Sequence, residues 1–175
     1  MNIKNNKRRQ MTLKKIESAF MEFLKDRDIS QIKVSAICEQ ANINRSTFYA
    51  NYVDVYDLAD KIRGKLKDQV DRLLEQDFQW QNSEKEFLQL FRHMKENQTL
   101  YEVYFRLGYD KQDELSFTKF IPHKAYPDEV QLAYHIAFFK SGFNAIVKQW
   151  LDGCCKESPQ QMQEILLNEY RGRLG

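Results

Sequence analysis

Residues 34–52, VSAICEQANINRSTFYANY, constrain what this chain can fold into more than any other stretch. Val34, Ile37, Cys38 and Ala41 recur at spacings of three and four, so they share one face of a short helix over residues 34–41. Asn42 follows where a tight turn needs a residue that tolerates a left-handed backbone. A second short helix, residues 45–52, turns Ile43, Phe48 and Tyr52 toward the first. It leaves Asn44, Arg45, Ser46, Thr47, Tyr49 and Asn51 outward. Hydrogen-bond donors, one guanidinium and an aromatic hydroxyl on a short helix are what insertion into a DNA major groove requires. The pair reads as a helix-turn-helix.

The flanks fit that unit. Leu13, Ile16, Ala19, Phe20, Phe23 and Leu24 line one side of a helix that starts at Lys7 or Met11, ends at Lys25 and braces the two short ones. In the connector 26–32, Ile29 and Ile32 tuck into the same core. The first ten residues are polar and basic (Lys4, Lys7, Arg8, Arg9). They read either as a frayed end or as an arm along phosphates whose contribution falls with salt. Lys33 and Ser35 open the first short helix, where exposed N–H groups and a cation suit a phosphate; Ser35 reads equally well as a capping partner. Asp54 and Asp57 form a capping-box-like start to a further helix. In it Val55, Leu58, Ala59, Ile62, Leu66, Val70, Leu73 and Leu74 repeat at helical spacing. A helix that long leaves the small domain, so residues 1–60 form a helix-turn-helix domain and 61–175 a second, larger one.

Composition supports two helical domains. Six Gly and three Pro in 175 residues leave little punctuation, which favours long helices over many short strands. Residues 1–52 hold 10 Lys/Arg against 5 Asp/Glu and the remainder 17 against 20, a basic head on a mildly acidic body. The three cysteines, two of them adjacent, make no disulfide framework, and a reducing cytoplasm is the simpler expectation. The polar N-terminus is no signal peptide, and no apolar run is long enough to span a membrane.

ICEQANINRSTFYANY, followed by an acidic, leucine-containing helix, resembles the N-terminal domain of the TetR family of bacterial transcription regulators, over roughly residues 8–65. Cys38 stands for the small Ala of that pattern and Asn42 for its turn Gly, while Val53 and Val55 stand where the family carries lysine ahead of its fourth helix. The resemblance implies an all-α chain: an N-terminal three-helix DNA-binding domain and a larger helical bundle for effector binding and dimerisation.

The second domain is aromatic: of 23 Phe, Trp and Tyr residues, 17 lie in 78–175. Ser83-Glu84-Lys85-Glu86 is a capping box that starts a helix with Phe87, Leu90, Phe91 and Met94 inward. Another helix covers 99–107 and ends at Gly108; residues 109–127 read as irregular, anchored by Phe117, Phe120 and Ile121. Pro127 or Asp128 opens the longest apolar helix, which runs to Asp152 and is buried nearly all round, with only a Lys140, Asn144 and Lys148 strip in water. Ser158-Pro159 starts a final helix that returns as an antiparallel hairpin. These two helices carry more apolar surface than one protomer covers. Phe143, Ile146, Val147, Trp150, Met162, Ile165, Leu166 and Tyr170 are therefore the expected homodimer interface, in agreement with the family's habit of pairing through its last two large helices.

As in similar regulators, the body can enclose a small apolar or aromatic effector, with Phe91, Tyr101, Tyr104, Tyr134, His135, Phe138 and Phe139 as its walls. The same aromatics also read as ordinary core. His93, His123 and His135 are not spaced as metal ligands, and no cofactor is expected. The Cys154-Cys155 pair reads as structural, with redox sensing as the alternative. No phosphate-cradling Gly loop, His-Glu-x-x-His, Gly-x-Ser-x-Gly or opposed carboxylate pair argues for an enzyme. The resulting expectation is a ligand-responsive homodimeric repressor that binds double-stranded DNA at a palindromic operator. Lys33, Ser35, Asn44, Arg45, Ser46, Thr47, Tyr49 and Asn51 make the contact; Arg45 and Thr47 read bases, while Tyr49, Asn51 and Lys33 hold phosphates. The alternative, motivated by Val53 and Val55, is a TetR-like helical interaction protein or co-activator that needs a partner and lacks sequence-specific DNA binding.

Overall fold

The chain alternates helices with short turns throughout its described length. The computed structural model describes residues 3–74, 83–112 and 128–171, with side chains over 7–73, 85–111 and 128–169. In order these are α1 (Ile3–Asp26), a single 3-10 turn (Ile29–Gln31), α2 (Val34–Ala41), α3 (Arg45–Tyr49), α4 (Val55–Leu74), α5 (Ser83–Glu96), α6 (Gln98–Arg106), α7 (Tyr109–Gln112), α8 (Glu129–Asp152) and α9 (Pro159–Arg171). The fold is all-α, as the scarcity of Gly and Pro leads one to expect, and no described helix is long and apolar enough to cross a membrane. Expectations for Phe117, Phe120, Ile121 and His123, and for the side chains of Leu74, Ser83, Glu84 and Tyr170, fall outside the described residues.

Two compact units divide between Leu66 and Lys67, inside α4 rather than at residue 60. In the first, α1 packs on α2 and α2 on α3. Ile16, Phe20 and Leu24 of α1 meet Ile37 of α2, Phe48 of α3 and Leu58, Ile62 and Leu66 of α4 in a core where each is at most a few per cent exposed. Burying such side chains stabilises by about 1.5–3 kcal/mol each, which is how a five-residue helix such as α3 holds its place. The helix α1 begins at Ile3, so Lys7, Arg8 and Arg9 stand on a helix and not on a loose arm. The physical reason is local: no Gly or Pro interrupts residues 1–25, and Lys, Arg, Gln and Met are good helix formers.

In the second unit Phe87, Leu90, Phe91 and Met94 of α5 are buried as their spacing requires. Phe91 meets the rings of Phe143 (6.0 Å) and Trp150 (5.6 Å), and Phe87 meets those of Phe139 and Phe143. Gly108, at φ +71°, ends the α6 segment, but α7 follows at once where an irregular stretch was expected. The Ser158 start signal is realised as a reciprocal capping box: Gln161 N donates to Ser158 Oγ (3.2 Å) and Ser158 N to Gln161 Oε1 (2.8 Å). From there α9 packs along α5.

The helix α8 is turned differently from its reading as a strand of core with one wet strip. Lys148 forms a 2.7 Å ion pair with buried Asp110 and lies 5.2 Å over the Phe105 ring, and Asn144 is buried. The Lys148 end of the polar strip therefore faces α6 and α7. Along the N-terminal half Val130 (62% exposed), Tyr134 (75%) and Phe138 (58%) stand in water instead.

Candidate nucleic-acid interface

The turn between α2 and α3 depends on one backbone conformation. Asn42 sits at φ 53°, ψ 56°, and the chain closes on α2 through Asn42 N to Glu39 O (3.1 Å) and Ile43 N to Cys38 O (2.9 Å). Cys38 is buried beneath the turn, and burial pushes its thiol up against the opposing pull of Arg45. Phe48 and Tyr52, ring centroids 5.5 Å apart, fasten α3 inward. Asn44, Arg45, Ser46 and Tyr49 are exposed and Thr47 is half-buried at the edge of the same surface. Lys33, extended and exposed, opens α2 without a side-chain cap, and Ser35 is half-buried in its first turn. A groove of about 640 Å³ runs beside this surface, walled by Arg8, Thr12 and Lys15 of α1 and by Asn42, Asn44 and Thr47.

Asn51, expected to hold a phosphate, makes contacts within the unit. Its amide nitrogen donates to Thr47 O (2.8 Å) and its oxygen accepts from Arg9 Nε (3.2 Å), so both polar atoms are engaged inside the unit. Its carbonyl accepts from Lys61 Nζ (2.8 Å), which is also paired with Asp57 (2.9 Å) and lies 5.1 Å over the Tyr52 ring. The Tyr52 hydroxyl donates to Glu17 Oε1 (3.0 Å), and Glu17 is paired with Lys65. Burial, then Glu17, pushes that hydroxyl far above its usual titration, so it stays a donor. Asp54 Oδ1 caps α4 by accepting from Tyr56 N and Asp57 N (both 2.8 Å), and Asp57 accepts from Val53 N (2.9 Å). Hydrogen bonds from Lys61 and Val53 hold the Asp57 carboxyl below its ordinary range. Val55 belongs to the small core, so of the two valines only Val53, 76% exposed, occupies a surface position.

Sequence reasoning missed Arg9, Glu17 and Lys61 as supports of α3. Only Lys61 left a signal, its i,i+4 spacing from Asp57; the Arg9 and Glu17 contacts join residues 42 and 35 apart.

In the second unit the expected effector walls separate. Phe91, Tyr101, Tyr104 and Phe139 are buried among rings, and the Tyr101 hydroxyl lies 2.8 Å from His93 Nδ1. His135 is half-buried, which pushes its imidazole down, while Tyr134 and Phe138 face outward and cannot wall an interior cavity with the others. The expected interface divides likewise. Phe143, Val147, Trp150, Met162 and Leu166 are consumed by the protomer's own core, Ile146 is half-buried, and Ile165 is exposed. Helical spacing marked these positions as apolar but could not say which apolar face stays at home.

Residues 81–170 match the family described as the transcriptional regulator C-terminal region, just over half of the chain. No curated protein sequence matches. Solved structures share the fold, among them the following three. The dihydroxyacetone kinase operon activator DhaS is 21% identical with a TM-score of 0.60, over 93% of this chain and 95% of that one. A TetR transcriptional regulator from Streptococcus agalactiae 2603V is 20% identical at 0.66, over 94% and 96%. The fatty acid degradation regulator FadR from Bacillus halodurans is 15% identical at 0.57, over 89% and 92%.

Proposed function

The chain belongs to the TetR family of transcription regulators, and from that premise we propose that it is a homodimeric DNA-binding regulator that seats α3 in the major groove. One observation carries the reading: Arg45, Ser46 and Tyr49 project from α3 while Phe48 and Tyr52 pin its other side to the core. A short helix with a fixed back and a polar front is what groove insertion needs. Arg45 and Thr47 read base edges. Tyr49, Lys33 and the uncapped N–H groups at the start of α2 hold phosphates. Two such heads meet half-sites about 34–36 Å apart or somewhat more, on a two-fold symmetric operator.

Dimerisation is proposed through the outward face of α8, where Val130, Tyr134 and Phe138 are exposed, with Ile165 on α9 also exposed. An apolar aromatic face on a regulator of this kind fits a symmetric partner. The effector reading is retained with changed chemistry. One oxygen of Asp110 and the side-chain oxygen of Asn144 are buried without a donor, which favours a small molecule that brings hydrogen-bond donors over a purely apolar one.

A co-activator without site selectivity is the second reading, favoured by apolar Val53 standing exposed beside α3. Genomic DNA fragments retained by the purified protein decide between them. On a retained site Arg45→Ala should cost about 1–3 kcal/mol and relax preference at one half-site position. Unchanged affinity and preference would remove Arg45 as a reader, and retention without sequence enrichment would favour the co-activator.

A further inference from the structure

The end of α3 nearest α4 needs a cation if it is to lie against a DNA backbone, and the obvious candidates are already committed. Lys61 is neutralised by Asp57 and tied to the Asn51 carbonyl. Lys65 is paired with Glu17. Asn51, the outward amide there, spends its oxygen on Arg9 and its nitrogen on Thr47. Val53, two residues on, is apolar and exposed. Arg9 is the exception. It is exposed, it has no carboxylate partner among the described residues, and only its Nε is engaged. A bond through Nε fixes the plane of the guanidinium and leaves both terminal amino groups for a second, bidentate acceptor.

We infer that Arg9 is the phosphate clamp at this end of the recognition helix, and that Asn51 is the residue that positions it. The inference rests on the DNA-binding reading above. In it α1 and α3 grip the backbone as one piece: Asn51 is bonded to the Thr47 carbonyl inside α3 and to Arg9 on α1. Arg9 thus holds the DNA where α3 reads it, and the phosphate contact and the reading helix share a register. Each clamp made displaces condensed counterions from the DNA, so it appears in the salt dependence of binding and not only in the affinity.

The test is a salt series on the full-length protein with a short labelled DNA duplex of mixed sequence, read by fluorescence anisotropy, with thermal melting of each variant. Arg9→Gln should weaken binding and flatten the plot of log affinity against log salt by about 0.9 per protomer. Arg9→Lys should restore the slope while leaving binding weaker than wild type, because an ammonium keeps the charge and loses the fork. Asn51→Ala should weaken wild-type binding, and the same change in the Arg9→Gln background should cost nothing further. An Arg9→Gln protein with the wild-type slope would overturn the inference, whether or not its melting temperature fell, since a strut between α1 and α3 carries no counterion signature. A wild-type protein whose binding ignores salt would count against the DNA-binding reading itself.

Discussion

Asn42 holds a conformation that costs most L-residues about 1–2 kcal/mol, and its short polar side chain is what makes that tolerable. Asn42→Ala should therefore lower stability by about that amount, with the melting transition as readout, whereas Asn42→Gly should leave it nearly unchanged. An Asn42→Ala protein as stable as wild type would mean that the turn relaxes without it. Asp57 makes a prediction of opposite character. Lys61 and the Val53 N–H depress its folded titration below the ordinary value of 3.8. The unfolded chain then binds the proton more tightly, so the contribution is present above 3.8 and disappears as pH falls through the folded titration. Asp57→Asn should be destabilised at neutral pH and approach wild type as the solution is acidified. These residue-scale features were only partly legible: Asn42 and the Asp54 cap announce themselves by type and spacing. The Asn51 bonds to Arg9 and Thr47 are not legible in a linear sequence, because the Arg9 contact joins residues 42 apart.

At the scale of elements, α2 over Val34–Ala41 and α4 from Val55 follow the apolar spacing closely, because one face of each is buried against a single neighbour and periodicity measures that directly. The helix α8 was less legible for a physical reason. Its Lys140, Asn144 and Lys148 strip reads as wet, yet Lys148 is held against α7 by buried Asp110, and a half-buried ion pair carries no signature in a hydrophobic pattern. Lys148→Met should strand the Asp110 carboxylate and cost on the order of 2 kcal/mol, less than the ~3–5 of a fully buried pair because Lys148 is partly exposed. Adding Asp110→Asn should recover part of the loss; strict additivity would show that the pair is not coupled. Between α5 and α6, burial pushes the His93 imidazole below its ordinary 6.5 beside Tyr101. A depressed titration means that unfolding takes up the proton, so this stabilisation is complete above 6.5 and is lost as pH falls through the lower folded value. His93→Gln should flatten the fall in melting temperature below pH 6.5.

For the whole molecule, the apolar spacing of the last helices marks more apolar surface than it can apportion between the protomer's own core and a partner. Phe143, Val147, Trp150, Met162 and Leu166 fill the protomer's own core, whereas Val130, Tyr134 and Phe138 are exposed on the face proposed above for a second copy. Phe138→Glu should convert dimer to monomer in sedimentation velocity without loss of helix content. A persistent dimer would move the interface elsewhere. The proposed dimer matters because a five-residue helix has few base contacts, and two heads on one operator would multiply them. The most direct test is a hydroxyl-radical footprint of the protein on a retained DNA fragment. Two protected patches related by two-fold symmetry, about 34–36 Å apart or somewhat more, are the expected result. A single unsymmetrical patch, or no protection, would contradict the account.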